Sequence, residues 1–169
     1  TPFVLDSRPL KEPSTAHAGL LAHSRVFRSL EVPELIKEHV QIRQRGRGFS
    51  ESQMIESIVL LQTLGGECPE DVSLLADDEC LARGLGYAPP RVTAVRDFLE
   101  AFHDDEAEKL RPPRDVQRSF IFPATTDLKG LQAVQAGCVG RIAELYAEQG
   151  CAYHIATIDQ DATIIESHK

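Results

Sequence analysis

No apolar run in this chain is long enough to span a bilayer, and no segment has the pattern of a secretory signal peptide. None of the four cysteines, Cys68, Cys80, Cys138 and Cys151, sits in a C-x-x-C pair, and no histidine lies at metal-finger spacing from them. That excludes a zinc-finger framework and predicts reduced, mostly buried thiols in a cytosolic protein. The chain has no G-x-x-x-x-G-K phosphate cradle and no G-x-S-x-G nucleophile elbow, so nothing points to nucleotide hydrolysis or serine chemistry. Internal repeats and low-complexity tracts are missing too. Nor is there a surplus of positive charge: the formal net charge of −8 argues against a protein that coats nucleic acid through bulk basicity.

What charge there is lies in separate blocks. Acidic residues gather at 67–79 and 104–108, and basic ones at Arg43, Arg45 and Arg47. The length of 169 residues fits one domain, or one small domain and the start of a second. The first residue is Thr, and the last stretch reads as the middle of a strand. The expectation is a fragment open at both ends.

Residues 1–15, with three prolines, read as an extended arm. Residues 16–30 carry Leu20, Phe27 and Leu30 at helical spacing. Pro33 can open a short helix over 34–40. A Gly-broken basic loop follows. Ser50-Glu-Ser-Gln53 is a capping box for a helix faced with Met54, Ile55, Ile58, Val59 and Leu61, which Gly65-Gly66 ends. Pro69 opens a short helix through Leu75. Asp77 can cap another, with Gly84 and Gly86 as its stop. After the stiff Pro89-Pro90 turn, Val92, Val95, Leu99 and Phe102 predict a further helix, and residues 103–106 a solvated charged turn. Residues 111–127 form the best linker. Leu128, Leu131, Val134, Cys138, Ile142 and Leu145 predict a long helix up to Gly150, expected to pack on the strand after it. The fold class is thus mainly α: a helical region over 16–110, then the opening helix and strand of an α/β or α+β domain over 128–169.

Three groups of residues could carry chemistry. Arg43, Arg45 and Arg47, just after Lys37 and His39, put three guanidinium groups on a flexible loop. Arginine meets phosphate through a bidentate fork, so a sequence-independent contact with a DNA backbone is one reading and a solvated loop the other. The short helices from Pro69 to Phe102 could form a helix-turn-helix, with Arg91, Thr93 and Arg96 near the start of its last helix, or a plain bundle. Finally, Asp159 and Asp161 fall in one strand, on the face shared by Tyr153, Ile155 and Thr157. Two carboxylates side by side repel and are costly to bury. A divalent cation is one physical reason to place them together, and a solvated strand end is the other reading.

The segment Ile155-Ala-Thr-Ile-Asp-Gln-Asp-Ala-Thr-Ile-Ile-Glu-Ser resembles the region of the first catalytic Asp in bacterial insertion-sequence transposases of the DDE type. Leu35-Ile-Lys-Glu-His-Val, Met54-Ile-Glu-Ser-Ile-Val-Leu-Leu, Leu64-Gly-Gly-Glu-Cys and Asp97-Phe-Leu-Glu-Ala-Phe-His-Asp-Asp-Glu resemble the family's N-terminal half, in the family's order. The likeness runs from about Thr15 to the end. It implies a helical DNA-binding region followed by a ribonuclease-H-like catalytic domain. It also implies cut-and-paste transposition: metal-dependent DNA cleavage and strand transfer by Asp, Asp and Glu holding two Mg²⁺ or Mn²⁺ ions.

By the Asp-small-Thr pattern the first of these is Asp161, with Asp159 a second, less favoured ligand. The second Asp and the Glu have no counterpart in these residues, and Glu166 points to the opposite strand face from Asp161. Arg43, Arg45, Arg47, Arg91, Thr93 and Arg96 would be the DNA contacts. The resemblance further implies a bacterial, cytoplasmic, nucleoid-associated protein. Its partners would be transposon-end and target DNA, with a homo-oligomer forming on DNA and no membrane involved. A fragment alone is expected to be inactive. The alternative is a non-catalytic helical DNA-binding module, such as a regulator or a decayed transposase remnant.

Overall fold

Local signals build most of the helices. The computed structural model describes residues 14–42, 48–113 and 123–151. They are mainly helical, with no strand among them. Helices α1 (Leu20–Ser29), α2 (Val32–His39) and α3 (Glu51–Thr63) come first. A 3-10 turn, Pro69–Val72, leads into α4 (Ser73–Ala76), α5 (Glu79–Leu85), α6 (Val92–Glu100) and α7 (Asp105–Glu108). The long α8 spans Thr126–Glu148. Residues 1–13 of the expected arm, the linker residues 114–122 and the expected strand after Cys151 lie outside the described residues.

The capping box forms as read. Ser50 Oγ accepts from the Gln53 N–H at 3.1 Å, and Gln53 Oε1 accepts from the Ser50 N–H at 2.9 Å. Three expectations need correction. The cap of α5 is Asp78, not Asp77: its Oδ1 accepts from the Leu81 N–H at 2.8 Å, and Oδ2 is held by the Thr15 hydroxyl and by His17 Nδ1. Gly84 does not stop α5; it packs against Leu21 of α1, and the helix ends at Gly86 in the left-handed region, φ 82°. The buried face of α6 also differs from the one read. Val95 and Phe98 point inward while Leu99 is exposed, and Phe102 lies past the helix end, edge-on to the Phe98 ring at 5.4 Å between centroids. The cause is tertiary: α6 rests on the 3-10 turn and on α3, which selects the 95/98 side.

Two apolar cores result. One joins α1, α3, the 3-10 turn and α4–α6 through Leu20, Leu60, Val72, Leu75, Leu81 and Val95. The other joins Phe27, Val32, Ile36 and Val40 to Val134 of α8. The helix expected to lie on a following strand therefore has its first half on α2. The two run antiparallel: Gly130 meets the His39 carbonyl, Gly137 meets Leu35, and Arg141 pairs with Glu31 at 2.5 Å. Glycines at these two positions let the helix axes come close, because no Cβ intervenes.

A polar joint ties α1, α3 and α5 together. Glu56 is buried, accepts from the Ser24 hydroxyl at 2.6 Å, and takes two bonds of 3.3 Å from Arg28. Arg28 also donates to the Leu85 carbonyl at 2.8 Å. A buried carboxylate needs such partners, and every donor here is supplied by another helix. The nearby Tyr87 hydroxyl lies 3.3 Å from Ser57 Oγ, and burial pushes its ionisation well above the usual phenol range.

Candidate nucleic-acid interface

The start of α6 carries three of the sequence-predicted contacts, all exposed. Arg91 is the N-cap residue and lies 3.6 Å from Asp77. Arg96 pairs with Glu70 of the 3-10 turn. Thr93 is three residues before Arg96, on the same side of the helix. Exposed pairs of this kind hold by about 0–1 kcal/mol, so a phosphate can replace either carboxylate at small cost. The connection from α5 to α6 is the six residues Gly86–Arg91, longer than the three- or four-residue turn of a helix-turn-helix. These helices are arranged as a bundle about one core, with Glu70 and Asp77 beside the two arginines.

Lys37 and His39 are exposed near the C-terminal end of α2. Arg43, Arg45 and Arg47 follow but lie outside the described residues. An open groove of about 640 Å³ separates α2 from the start of α3, with Lys37, Gln41, Ser50 and Ser52 on its walls. Lys129 of α8 is exposed next to Gly130, which touches the His39 carbonyl. The end of α2 and the start of α8 thus form one corner carrying Lys37 and Lys129, with Glu34 and Glu51 also on the groove wall. Sequence reasoning missed Lys129 because it lies far along the chain; only the antiparallel packing of α2 and α8 reveals it.

Asp159 and Asp161 lie outside the described residues, as does Glu166. Among the described residues no group of three or more His, Cys, Asp or Glu side chains could hold a metal ion. The cluster at 103–106 is solvated as expected, but it is the capped start of α7 rather than a turn: Asp104 Oδ1 accepts from the Glu106 and Ala107 N–H groups, and His103 lies 3.2 Å from Asp105. No family model, curated protein or solved structure matches the chain.

The expectation of mostly buried thiols is corrected. Cys68 and Cys151 are exposed, while Cys80 and Cys138 are half-buried. Burial pushes the Cys138 thiol up, which leaves less thiolate at neutral pH. No described helix is long and apolar enough to cross a membrane.

Proposed function

We propose that this chain is the N-terminal part of a DDE-type transposase, joining a helical DNA-binding region to the first helix and strand of a ribonuclease-H-like domain. One observation carries the reading: five segments resembling that family occur in its order, ending in Asp159-Gln-Asp-Ala-Thr. The mainly helical fold ahead of that motif fits a helical region placed before the acidic strand. The donor set also fits, since carboxylate oxygens suit a hard cation such as Mg²⁺ or Mn²⁺. Asp161 would be its ligand, with Asp159 beside it. When bound, such an ion activates a water and stabilises a leaving oxygen in phosphodiester chemistry. Arg43, Arg45, Arg47, Arg91, Thr93 and Arg96 would hold DNA, mainly by its phosphates.

The test uses the full gene product that contains this chain and labelled DNA from either side of its coding sequence. Asp161→Ala is expected to abolish strand cleavage and leave DNA binding nearly unchanged. Cleavage that survives the substitution removes Asp161 from the active site. Binding with no cleavage by the unsubstituted protein favours the non-catalytic module. Replacing Arg43, Arg45 and Arg47 together should weaken binding across sequences and flatten its salt dependence. An unchanged salt slope takes that loop off the DNA.

A further inference from the structure

Helix α8 has two sides. The glycine side lies on α2. About a quarter turn round the helix, Leu128, Leu131, Gln135, Cys138, Ile142 and Leu145 recur at alternating steps of three and four residues over most of its length. That is the 3.5-residue period of a helix–helix seam, and it differs from the contacts α8 makes with α2. The seam is largely uncovered. Leu131 and Cys138 touch the edge of the α2 core, but Leu128, Ile142 and Leu145 are exposed, and the flanking Val139 is 63% exposed.

We propose that this seam joins two copies of the chain in a parallel, two-fold dimer. The occupant is argued from the one polar residue in the seam and from the charges at its ends. In a parallel pair Gln135 faces Gln135, and each amide finds a donor and an acceptor in the other. The flanking positions then bring Asp127 towards Gln132 and Arg141 towards Tyr146, with no like-charge pair, while Val134 between them stays buried on α2. In the antiparallel alignment Gln135 faces Cys138, which leaves the amide without a matching partner. Asp127 then falls against Glu148 at both ends, and like charges there repel. Since the other side of α8 is held by α2, the pair forms a four-helix contact of α2 and α8 with their copies. The inference does not rest on the transposase reading.

Sedimentation equilibrium on the chain tests it. The expected mass is twice the 18.7 kDa of one chain, falling towards one on dilution. Ile142→Glu should give the single-chain mass with unchanged far-ultraviolet circular dichroism. If that variant loses helix, Val139→Ala with Ile142→Ala removes the apolar bulk without adding charge and should weaken the dimer in the same direction. A wild-type chain that stays at single mass up to its solubility limit overturns the proposal. So does a single-mass chain whose Ile142→Cys variant is shielded from maleimide, since residues 152–169 would then be the cover. Mild oxidation of Gln135→Cys, with Cys68, Cys80 and Cys151 replaced by Ser, should give a covalent dimer through position 135 whether Cys138 is kept or replaced by Ser. A cross-link forming only between Gln135→Cys and native Cys138 overturns the parallel arrangement.

Discussion

Replacing the three central glycines of α8 by alanine, one at a time, should give effects of opposite sign. In a helix interior Gly→Ala is worth about 0.8–1.0 kcal/mol in favour of the helix. At Gly140 an added Cβ meets nothing within 4 Å, so the full gain should appear. For a chain of this size that raises Tm by about 2–4 °C. At Gly137 the new Cβ would lie 2.8 and 2.9 Å from the two Cδ atoms of Leu35, which can swing away at some packing cost. Overpacking costs about 1–3 kcal/mol, so this variant should fall between neutral and about 2 kcal/mol destabilised. At Gly130 the Cβ would run into the His39 carbonyl oxygen and come 3.0 Å from its carbon. Backbone cannot rotate aside, so α8 must lift off α2 and loosen the contacts around Val134. A net loss of about 2 kcal/mol or more is expected after the propensity gain is counted. Urea unfolding of the chain, followed by circular dichroism at a constant m-value, reads all three. A Gly130→Ala variant as stable as wild type would refute the close antiparallel contact. A destabilised Gly140→Ala would refute the open surroundings of that position.

Other consequences can be checked in the same assay. Glu56→Ala should cost about 2–3 kcal/mol, because it strands the Ser24 hydroxyl and half-exposed Arg28 at the joint of α1, α3 and α5; a loss under about 0.5 kcal/mol would mean the joint is not formed. Burial alone would raise the Asp78 pKa, but the Thr15 hydroxyl, the Leu81 N–H and His17 outweigh it and hold it below 3.8. A depressed carboxylate stabilises the fold above its unfolded pKa and loses that contribution as pH falls through the folded one. Asp78→Asn should therefore flatten the loss of stability below about pH 4, and an unchanged acid limb would count against the Thr15–Asp78 contact. Maleimide at neutral pH should modify Cys68 and Cys151 well before Cys138, whose thiolate is scarce and half-buried; equal rates would contradict that burial.

Features set by a few adjacent residues were legible in the sequence. Ser50 and Gln53 cap α3 as read, and Pro33 lies in the first turn of α2, although that helix starts one residue earlier, at Val32. The misreadings arose where a distant contact decides between equal local options. Asp77 and Asp78 have the same capping chemistry, and Thr15 and His17 select the second. Gly84 looks like a helix stop, but its lack of a side chain is used against Leu21 instead. The apolar periodicity of α8 was visible, while the partner of its first half was not, because glycines leave no hydrophobic signal. The candidate interface was legible only as residue types. That Arg91 and Arg96 already face carboxylates, and that Lys129 comes to the end of α2, follows from packing between segments far apart in sequence.

The docking of α8 on α2 closes a loop of about ninety residues, from His39 round to Gly130. The core around Leu60 and Leu75 is complete by residue 95, whereas the core around Ile36 is capped only when Val134 arrives. Long-range closure must be met before its contacts reward it. The chain should therefore open in steps, with α8 leaving first. Amides of α8 would then exchange with solvent by a partial opening, at a lower free energy than those at the centre of α3. Each such opening bares Ile36 and Val40, residues otherwise almost wholly buried. The α2–α8 seam is thus the place where heat, a protease or a competing apolar helix would first gain entry.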